Sequence, residues 1–294
     1  MTFEECHRRY FFGESGKRIL VKEWGDPLKP VILLVHGFPG CADHGKFMSG
    51  SPYWEHFRLI AVDRPGYGHS DPQTNITPLA FAAQIEELLL SLNIERLSLL
   101  SVSGGAPYSM AVAHRLPHKV EKITSIGGVA PLTPLNFFFM NSRQKKTWLL
   151  GKTVPEKVLH TVVNFRWQKS LEKMERFFFT DFDSFSTADR KVLSDKKLGP
   201  QLLKSMKTAI ENGPSGILAD MKVYSNPWGF SLSEIKCPVT LWHGLHDDVV
   251  NFRFAQDMSY RLPNANRKFI KDEGHYSLLL TQRDEILKDL LEIK

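Results

Sequence analysis

The segment from Leu97 to Tyr108 constrains the fold more than any other. A short apolar run, Leu97 to Val102, stops at Ser103-Gly104-Gly105, and a helical pattern starts at once with Tyr108, Met110, Ala111, Val112 and Ala113. Strand, tight turn and helix in succession put a serine at the apex. There the crowded backbone demands small neighbours, and the side chain is pushed out of the sheet. The motif reads Ser101-x-Ser103-x-Gly105, with serine where a Gly-x-Ser-x-Gly elbow has its first glycine. Alone, this describes an ordinary serine-glycine turn as well as the seat of a nucleophile.

The segments around it supply the rest of a sheet. Val31 to Val35 and Leu59 to Val62 are continuous apolar runs, the mark of strands buried on both faces. Ile123 to Ile126, Val239 to Trp242 and Lys268 to Ile270 read as further strands, and residues 10–25 as an N-terminal hairpin with its second arm at Arg18 to Trp24. A helix begins at Thr77-Pro78, with Phe81, Ile85, Leu88, Leu89 and Leu92 on one face. The helix after the elbow ends near Leu116, before Pro117, and Thr281 to Ile293 reads as a terminal amphipathic helix. Strands alternating with helices imply a mostly parallel sheet covered on both faces.

From Leu132 to Leu232 that rhythm stops. Helical patterns fill the region at Asn141 to Gly151, Pro155 to Phe179, Thr187 to Lys196, Pro200 to Glu211 and Ser215 to Tyr224. The expected organisation is therefore a core domain of residues 1–131 and 233–294, interrupted by a helical cap at 132–232. This middle third holds sixteen Lys/Arg against nine Asp/Glu, so it carries more than the whole net charge of +6. A solvated helical surface accounts for that excess, and a face toward an anionic substrate or membrane is the other reading. No nucleic-acid motif accompanies it. Its aromatics (Phe137 to Phe139, Trp148, Phe165, Trp167, Phe177 to Phe179, Phe182, Phe185) either pack the insert onto the sheet or line an apolar pocket.

Cys6, Cys41 and Cys237 are far apart and form no Cys-x-x-Cys pair, which fits neither a disulfide framework nor a metal site. No apolar run approaches the roughly 20 residues of a membrane helix. The first residues carry Glu4 and Glu5 where a secretory signal would be basic. A cytoplasmic location is expected.

A serine hydroxyl needs a base, and the base needs an orienting carboxylate. In open α/β sheets such groups gather at the carboxyl ends of strands. After the Val239 strand comes Gly244-x-x-Asp247-Asp248-Val249-Val250, and after the last strand comes Asp272-Glu273-Gly274-His275. Serine, aspartate and histidine thus occur in that order, each in a loop after a strand.

These motifs, together with His36-Gly-Phe-Pro-Gly40 and Asp63-Arg-Pro-Gly-Tyr-Gly-His-Ser-Asp71, resemble the α/β-hydrolase superfamily over nearly the whole chain. They look most like bacterial single-domain hydrolases, many of unassigned substrate. The resemblance implies an eight-stranded sheet with the cap between strands six and seven. It also implies Ser103 as nucleophile, His275 as base and Asp247 as orienting acid. An oxyanion hole would come from the backbone N–H groups of Phe38 and Gly104. The spacing Gly-x-x-Asp-x-x-Val favours Asp247 over Asp248. His36 and His243 read as structural, Asp63 and Arg64 as braces of a turn, and Cys41 as an unreactive thiol. The activity implied is hydrolysis of a small carboxylic ester by an acyl-enzyme route, with no metal or organic cofactor and a small apolar or aromatic ester as partner.

Serine at the apex excludes haloalkane dehalogenase and epoxide hydrolase chemistry, which uses aspartate there. Cofactor-free peroxidase-like members keep a serine triad and stay compatible. Proline iminopeptidases share the plan but carry His-Gly-Gly-Pro-Gly and a tryptophan after the nucleophile, where this chain has Phe38 and Gly104. An amidase or aminopeptidase on the same triad is the alternative enzyme. A hydrolase-like protein that binds a small ligand without turnover is the alternative from another class.

Overall fold

A computed structural model of the chain describes residues 6–165, 172 and 185–292. Eight strands form one sheet: β1 (His7–Phe12), β2 (Arg18–Trp24), β3 (Val31–Val35), β4 (Arg58–Val62), β5 (Leu97–Val102), β6 (Val120–Ile126), β7 (Val239–Gly244) and β8 (Ala265–Ile270). Their order across the sheet is β1-β2-β4-β3-β5-β6-β7-β8. Strand β2 runs antiparallel to both its neighbours, and every other pairing is parallel.

The apolar runs are continuous because both faces of these strands are covered. Along β3, Leu33 and Val35 face one cluster while Ile32 and Leu34 face the other. The first cluster is closed by α1 (Pro78–Ser91), α2 (Ala106–Arg115) and α9 (Arg253–Arg261) through Phe81, Ile85, Met110, Val112, Phe254 and Met258. The second is closed by the 3-10 segment Ala42–Met48 and by α10 (His275–Thr281) and α11 (Arg283–Leu291), which contribute Phe47, Leu278, Ile286 and Leu290. Thr77 caps α1 by accepting the Ala80 N–H at 3.1 Å, and Pro78 fills the first position, where no N–H is needed. The expected terminal helix is α11, which starts at Arg283 after Gln282, and α10, starting at His275 itself, is an addition before it. Ile293, the expected end of the terminal helix, lies outside the described residues.

Between β6 and β7 lie α3 (Pro134–Phe139), α4 (Ser142–Thr153), α5 (Glu156–Phe165), α6 (Thr187–Leu193), α7 (Leu198–Ile210) and α8 (Ser215–Ser225). Among the described residues this stretch contains no strand of the sheet. Helix α3 is an addition to the expected set, capped by Thr133 Oγ1 on the Asn136 N–H. The expected helix from Pro155 runs to Phe165 within the described residues, and Trp167, Phe177 to Phe179 and Phe182 lie outside them. Among the described residues no helix is long and apolar enough to cross a membrane.

The sheet order reverses at β3 and β5. After β4 the chain crosses to the far side of β3, which opens a crevice above the carboxyl ends of β3 and β5. The His36–Gly40 loop and Ser103 both sit there.

Candidate active site

Ser103 follows the last residue of β5 and has φ of +50°, a left-handed conformation that a residue with a Cβ adopts at a cost of about 1–3 kcal/mol. The position is over-determined by what surrounds it. Strand β5 is held between β3 and β6, with Ser101 paired to Val35 and to Ser125. A Cβ on Gly104 would overlap the Tyr224 hydroxyl and come within 2.8 Å of Phe38 Cβ. Ser101, in the place of the usual first glycine, is fully buried, and its hydroxyl finds no partner among the described residues. Its neighbour Ser125 carries a second such hydroxyl, so small side chains on adjoining strands make the space that the substitution requires.

His275 stands at the start of α10, and its Nε2 lies 3.0 Å from Ser103 Oγ. Its Nδ1 lies 2.7 Å from Asp247 Oδ2, so Nδ1 carries the proton and Nε2 is free to accept one. Asp247 is buried at the end of the β7 loop, where its Oδ1 accepts the N–H groups of Val249 (2.9 Å) and Val250 (2.7 Å). Burial opposes ionisation of Asp247. The His275 charge and hydrogen bonds from His243 and His275 outweigh it and hold the carboxyl below the usual carboxylate range. Burial also disfavours the His275 imidazolium, and Asp247 outweighs it, so the pKa of His275 is raised above its ordinary value. Asp248, one residue on, lines the adjoining cavity instead.

Two further histidines hold this frame. His243 Nε2 faces Val250 O at 2.8 Å and Asp247 Oδ2 at 3.2 Å, which steadies the carboxylate from behind. His36 Nε2 accepts the Arg64 N–H at 3.0 Å, and its Nδ1 lies 2.9 Å from Gly37 O. Asp63 braces its turn as expected, accepting the N–H groups of Ala42 and His69 at 2.6 and 2.9 Å. Cys41 is buried and its thiol pKa is pushed up to about 12 by that burial. Among the described residues no group of His, Cys, Asp or Glu is arranged to hold a metal ion.

Arg64 reaches further than a turn. Its fully buried guanidinium forms a two-pronged pair with Asp220 of α8, with Nη2 at 2.8 Å from Oδ2, and Nη2 also donates to Gly37 O at 3.0 Å. Tyr67 and Tyr108 donate to the same carboxylate. Burial, reinforced by the Asp220 charge, pushes both phenols well above their ordinary pKa and keeps them donors. In a trans peptide the C=O and N–H point opposite ways. Anchoring Gly37 O on Arg64 and His36 therefore turns the Phe38 N–H to the other side. One turn along α8, Tyr224 donates to Gly104 O at 3.0 Å. Both loops expected to supply the oxyanion donors are thus fixed by one face of a helix from the insert.

The insert also positions the histidine. Asp189 of α6 is fully buried; its Oδ2 accepts the His275 N–H, and its Oδ1 accepts those of Tyr276 and Ser277, each at 2.8 Å. A Cβ on Gly274 would collide with this carboxylate and with Ser186, so glycine is what permits the approach. A carboxylate at the first turn of α10 also meets the positive end of the helix dipole.

A cavity of about 530 Å³ opens on Ser103, walled by Phe38, Trp148, Met206, Met221, Tyr224 and Val250. Of the insert aromatics singled out in the sequence, Trp148 and Phe185 line it. Phe138 and Phe165 are exposed, and Phe139 packs against the first core cluster. A second cavity of about 50 Å³ lies on the His275 side of the same serine.

Residues 30–281 match the sequence model of a family described as alpha/beta hydrolase fold. A 2-hydroxy-6-oxononadienedioate/2-hydroxy-6-oxononatrienedioate hydrolase of Paraburkholderia phymatum is 26% identical over 254 residues, 85% of this chain and 82% of that protein. A bifunctional esterase/perhydrolase of Acinetobacter calcoaceticus is 25% identical over 291 residues, 96% of this chain and 98% of that protein. Among solved structures, an esterase from Exiguobacterium antarcticum superposes with a TM-score of 0.73 at 18% identity, over 96% of this chain and 97% of that one. The match to the family model spans most of the chain and includes the elbow and both partner loops: the protein belongs to the α/β-hydrolase fold family.

Proposed function

We propose that the protein is a serine hydrolase that cleaves small carboxylic esters through an acyl-enzyme on Ser103. The observation that carries this reading is the continuous chain from Asp247 Oδ2 through the His275 ring to Ser103 Oγ, at 2.7 and 3.0 Å. Ser103 Oγ attacks the ester carbonyl and its proton passes to His275 Nε2. The imidazolium is held by Asp247 and gives the proton to the departing alcohol. Negative charge on the carbonyl oxygen is met by the N–H groups of Phe38 and Gly104, donors worth roughly 3 kcal/mol each in such reactions. Water then enters, loses its proton to His275 and releases the acid. No step in this route calls for a metal or an organic cofactor.

The helices between β6 and β7 act as the cap in this reading, covering the acyl side of the serine. The larger cavity is walled mostly by apolar side chains, and among its described walls the only charged group is Asp248. Such a pocket suits a neutral acyl group better than a dicarboxylate like the one named for the Paraburkholderia relative. It also weighs against the basic surface of the insert selecting anionic esters. The aminopeptidase alternative is weakened at Gly104, where Tyr224 and Phe38 occupy the space a tryptophan would take. A cytoplasmic site of action fits the three unpaired thiols.

Labelling with a fluorophosphonate probe, beside Ser103→Ala, tests the nucleophile. Labelling of the wild type alone is expected, followed by turnover of short- and medium-chain p-nitrophenyl esters. Folded wild-type protein that is neither labelled nor active on any ester overturns the reading and leaves the ligand-binding alternative.

A further inference from the structure

The outer side of α3, α4 and α5 is apolar where contact with water alone would favour polar residues. Of the fifteen large apolar side chains exposed among the described residues, eight lie in the 32 residues from Pro134 to Phe165. Single exposed apolar residues are ordinary, but a cluster of this kind marks an interaction surface.

The packing beneath shows that these side chains share one face. Helix α5 turns Leu159 inward onto Leu218 and Met221 of α8. Its opposite side carries Val158, Val162 and Phe165 at the i, i+4, i+7 spacing of a single stripe, 52, 52 and 91% exposed. A helix apolar on two sides has room for a second partner. Helix α4 turns Trp148 inward, onto Tyr224 of α8 and the larger cavity, and leaves Leu149 and Leu150 exposed. Both helices meet α8 at Met221, since Gly151 of α4 lies against its carbonyl and Leu159 of α5 packs on its side chain. Only Val154 and Pro155 join them, so their outer sides adjoin. Lys145 of α4 donates to Phe138 O of α3 at 3.3 Å, which brings the exposed Phe138 to the same edge.

The charge on this stretch has one sign. Residues 134–165 hold Arg143, Lys145, Lys146, Lys152 and Lys157 against the single acid Glu156, a net charge of +4. Lys146, Lys152 and Lys157 are exposed. A second copy of the chain would cover the apolar side chains but would set +4 against +4. An anionic bilayer answers both features at once. Its phosphates meet the ammonium groups, whose stems run back along the apolar side chains, and its acyl boundary takes up the Leu, Val and Phe side chains. The position fits as well, because α4 walls the larger cavity with Trp148 and presents Leu149 on its outer side.

We propose that the outer face of α3 to α5 docks on the surface of an anionic phospholipid bilayer and brings the larger cavity to the layer where apolar esters partition. The docking itself does not depend on the ester-hydrolase reading.

The test is flotation of the whole chain with vesicles of phosphatidylcholine alone, or of phosphatidylcholine and phosphatidylglycerol in equal parts. The protein should float with the mixed vesicles at low salt, float poorly with the neutral ones, and be released as salt rises. Ser103→Ala should float like the wild type. A lysine near such a surface is worth about fivefold in partition, so the triple variant Lys146→Gln, Lys152→Gln, Lys157→Gln should bind about a hundredfold more weakly. Leu149→Ser with Phe165→Ser should cost about tenfold or more, and both sets of exposed changes should leave Tm near the wild-type value. No flotation of the wild type with mixed vesicles at low salt overturns the proposal. Equal flotation with neutral vesicles overturns it, as does full binding by the lysine variant. Capture on poly-glutamate beads as tight as on mixed vesicles, and indifferent to Leu149→Ser with Phe165→Ser, would show charge acting alone and also overturn it. A dimer in solution that Val162→Asp dissociates, in protein that ignores vesicles, would assign the face to a second copy instead.

Discussion

Asp189→Ala removes a carboxylate that touches no substrate, yet its loss should be felt in both stability and chemistry. Three backbone donors, on His275, Tyr276 and Ser277, lose their acceptor at once. A buried donor without a partner costs about 1–3 kcal/mol. The lower figure for each gives a loss of about 3 kcal/mol, out of a total stability on the order of 5–15 kcal/mol. For a chain of this length 1 kcal/mol moves Tm by about 2 °C, so a fall of about 6 °C is expected by scanning calorimetry. Asp189 is also one of the charges that favour the His275 imidazolium. Without it the pKa of His275 falls, the neutral base survives to lower pH, and the acid limb of kcat/KM moves down. Asp189→Asn keeps one acceptor oxygen in the same volume and loses the charge, so it should recover much of the Tm while retaining the shift of the limb. The reasoning is refuted by an alanine variant with the wild-type Tm and an unmoved pH profile, or by an asparagine variant no more stable than the alanine one.

Asp220→Asn leaves the buried Arg64 guanidinium without its counter-charge and should cost about 3–5 kcal/mol in a urea titration. Adding Arg64→Met should restore a large part of that; a double variant as unstable as the single one would deny that the pair is the cause. Gly104→Ala should lower kcat/KM by about a hundredfold or more by displacing an oxyanion donor. Tyr224→Phe in the same chain should return part of the loss by removing the overlapping hydroxyl, whereas an additive loss would place the clash elsewhere. In the wild type the acid limb of kcat/KM should lie above the ordinary histidine range, because the Asp247 charge favours the imidazolium. Asp247→Asn should move that limb to lower pH and reduce kcat by about 10⁴-fold. A limb that stays in place would mean that another group titrates there.

The core was legible because its signal is local. Val31 to Val35 and Leu97 to Val102 are apolar without interruption, and only a strand covered on both faces requires that. The elbow was legible because it follows such a strand directly, whereas the Asp247 and His275 loops were legible by their own motifs, since β8, Ala265–Ile270 at the sheet edge, is not such a strand. What escaped was the part of the site that comes from the insert. Asp189 and Asp220 lie in helices whose charge pattern reads as a solvated surface, and their partners are 86 to 156 residues away in the chain. One local sign was present. Asp220 has Ile217, Val223 and Tyr224 three and four positions away, and Asp189 has Val192 and Leu193, so each acid interrupts an apolar stripe. The basic excess of the insert pointed outward, while two fully buried acids among its described residues, Asp189 and Asp220, point at the loops of His275 and Gly37.

The two buried carboxylates of the insert have a bearing on how such a protein diversifies. A segment that chooses substrates is often treated as an exchangeable module, to be swapped whole between relatives. Here α6 and α8 are keystones: a graft that replaced them would reshape the larger cavity and unseat His275 and the Gly37–Phe38 peptide in the same stroke. Variation at the outer positions of α3 to α5, where Phe138, Leu149 and Phe165 are exposed, leaves both keystones in place, and a change at Trp148 of α4 reshapes the larger cavity without touching either. A recombination library with its crossovers at the ends of Pro134–Phe165 would keep both keystones, and one that spans the whole insert would have to carry them over.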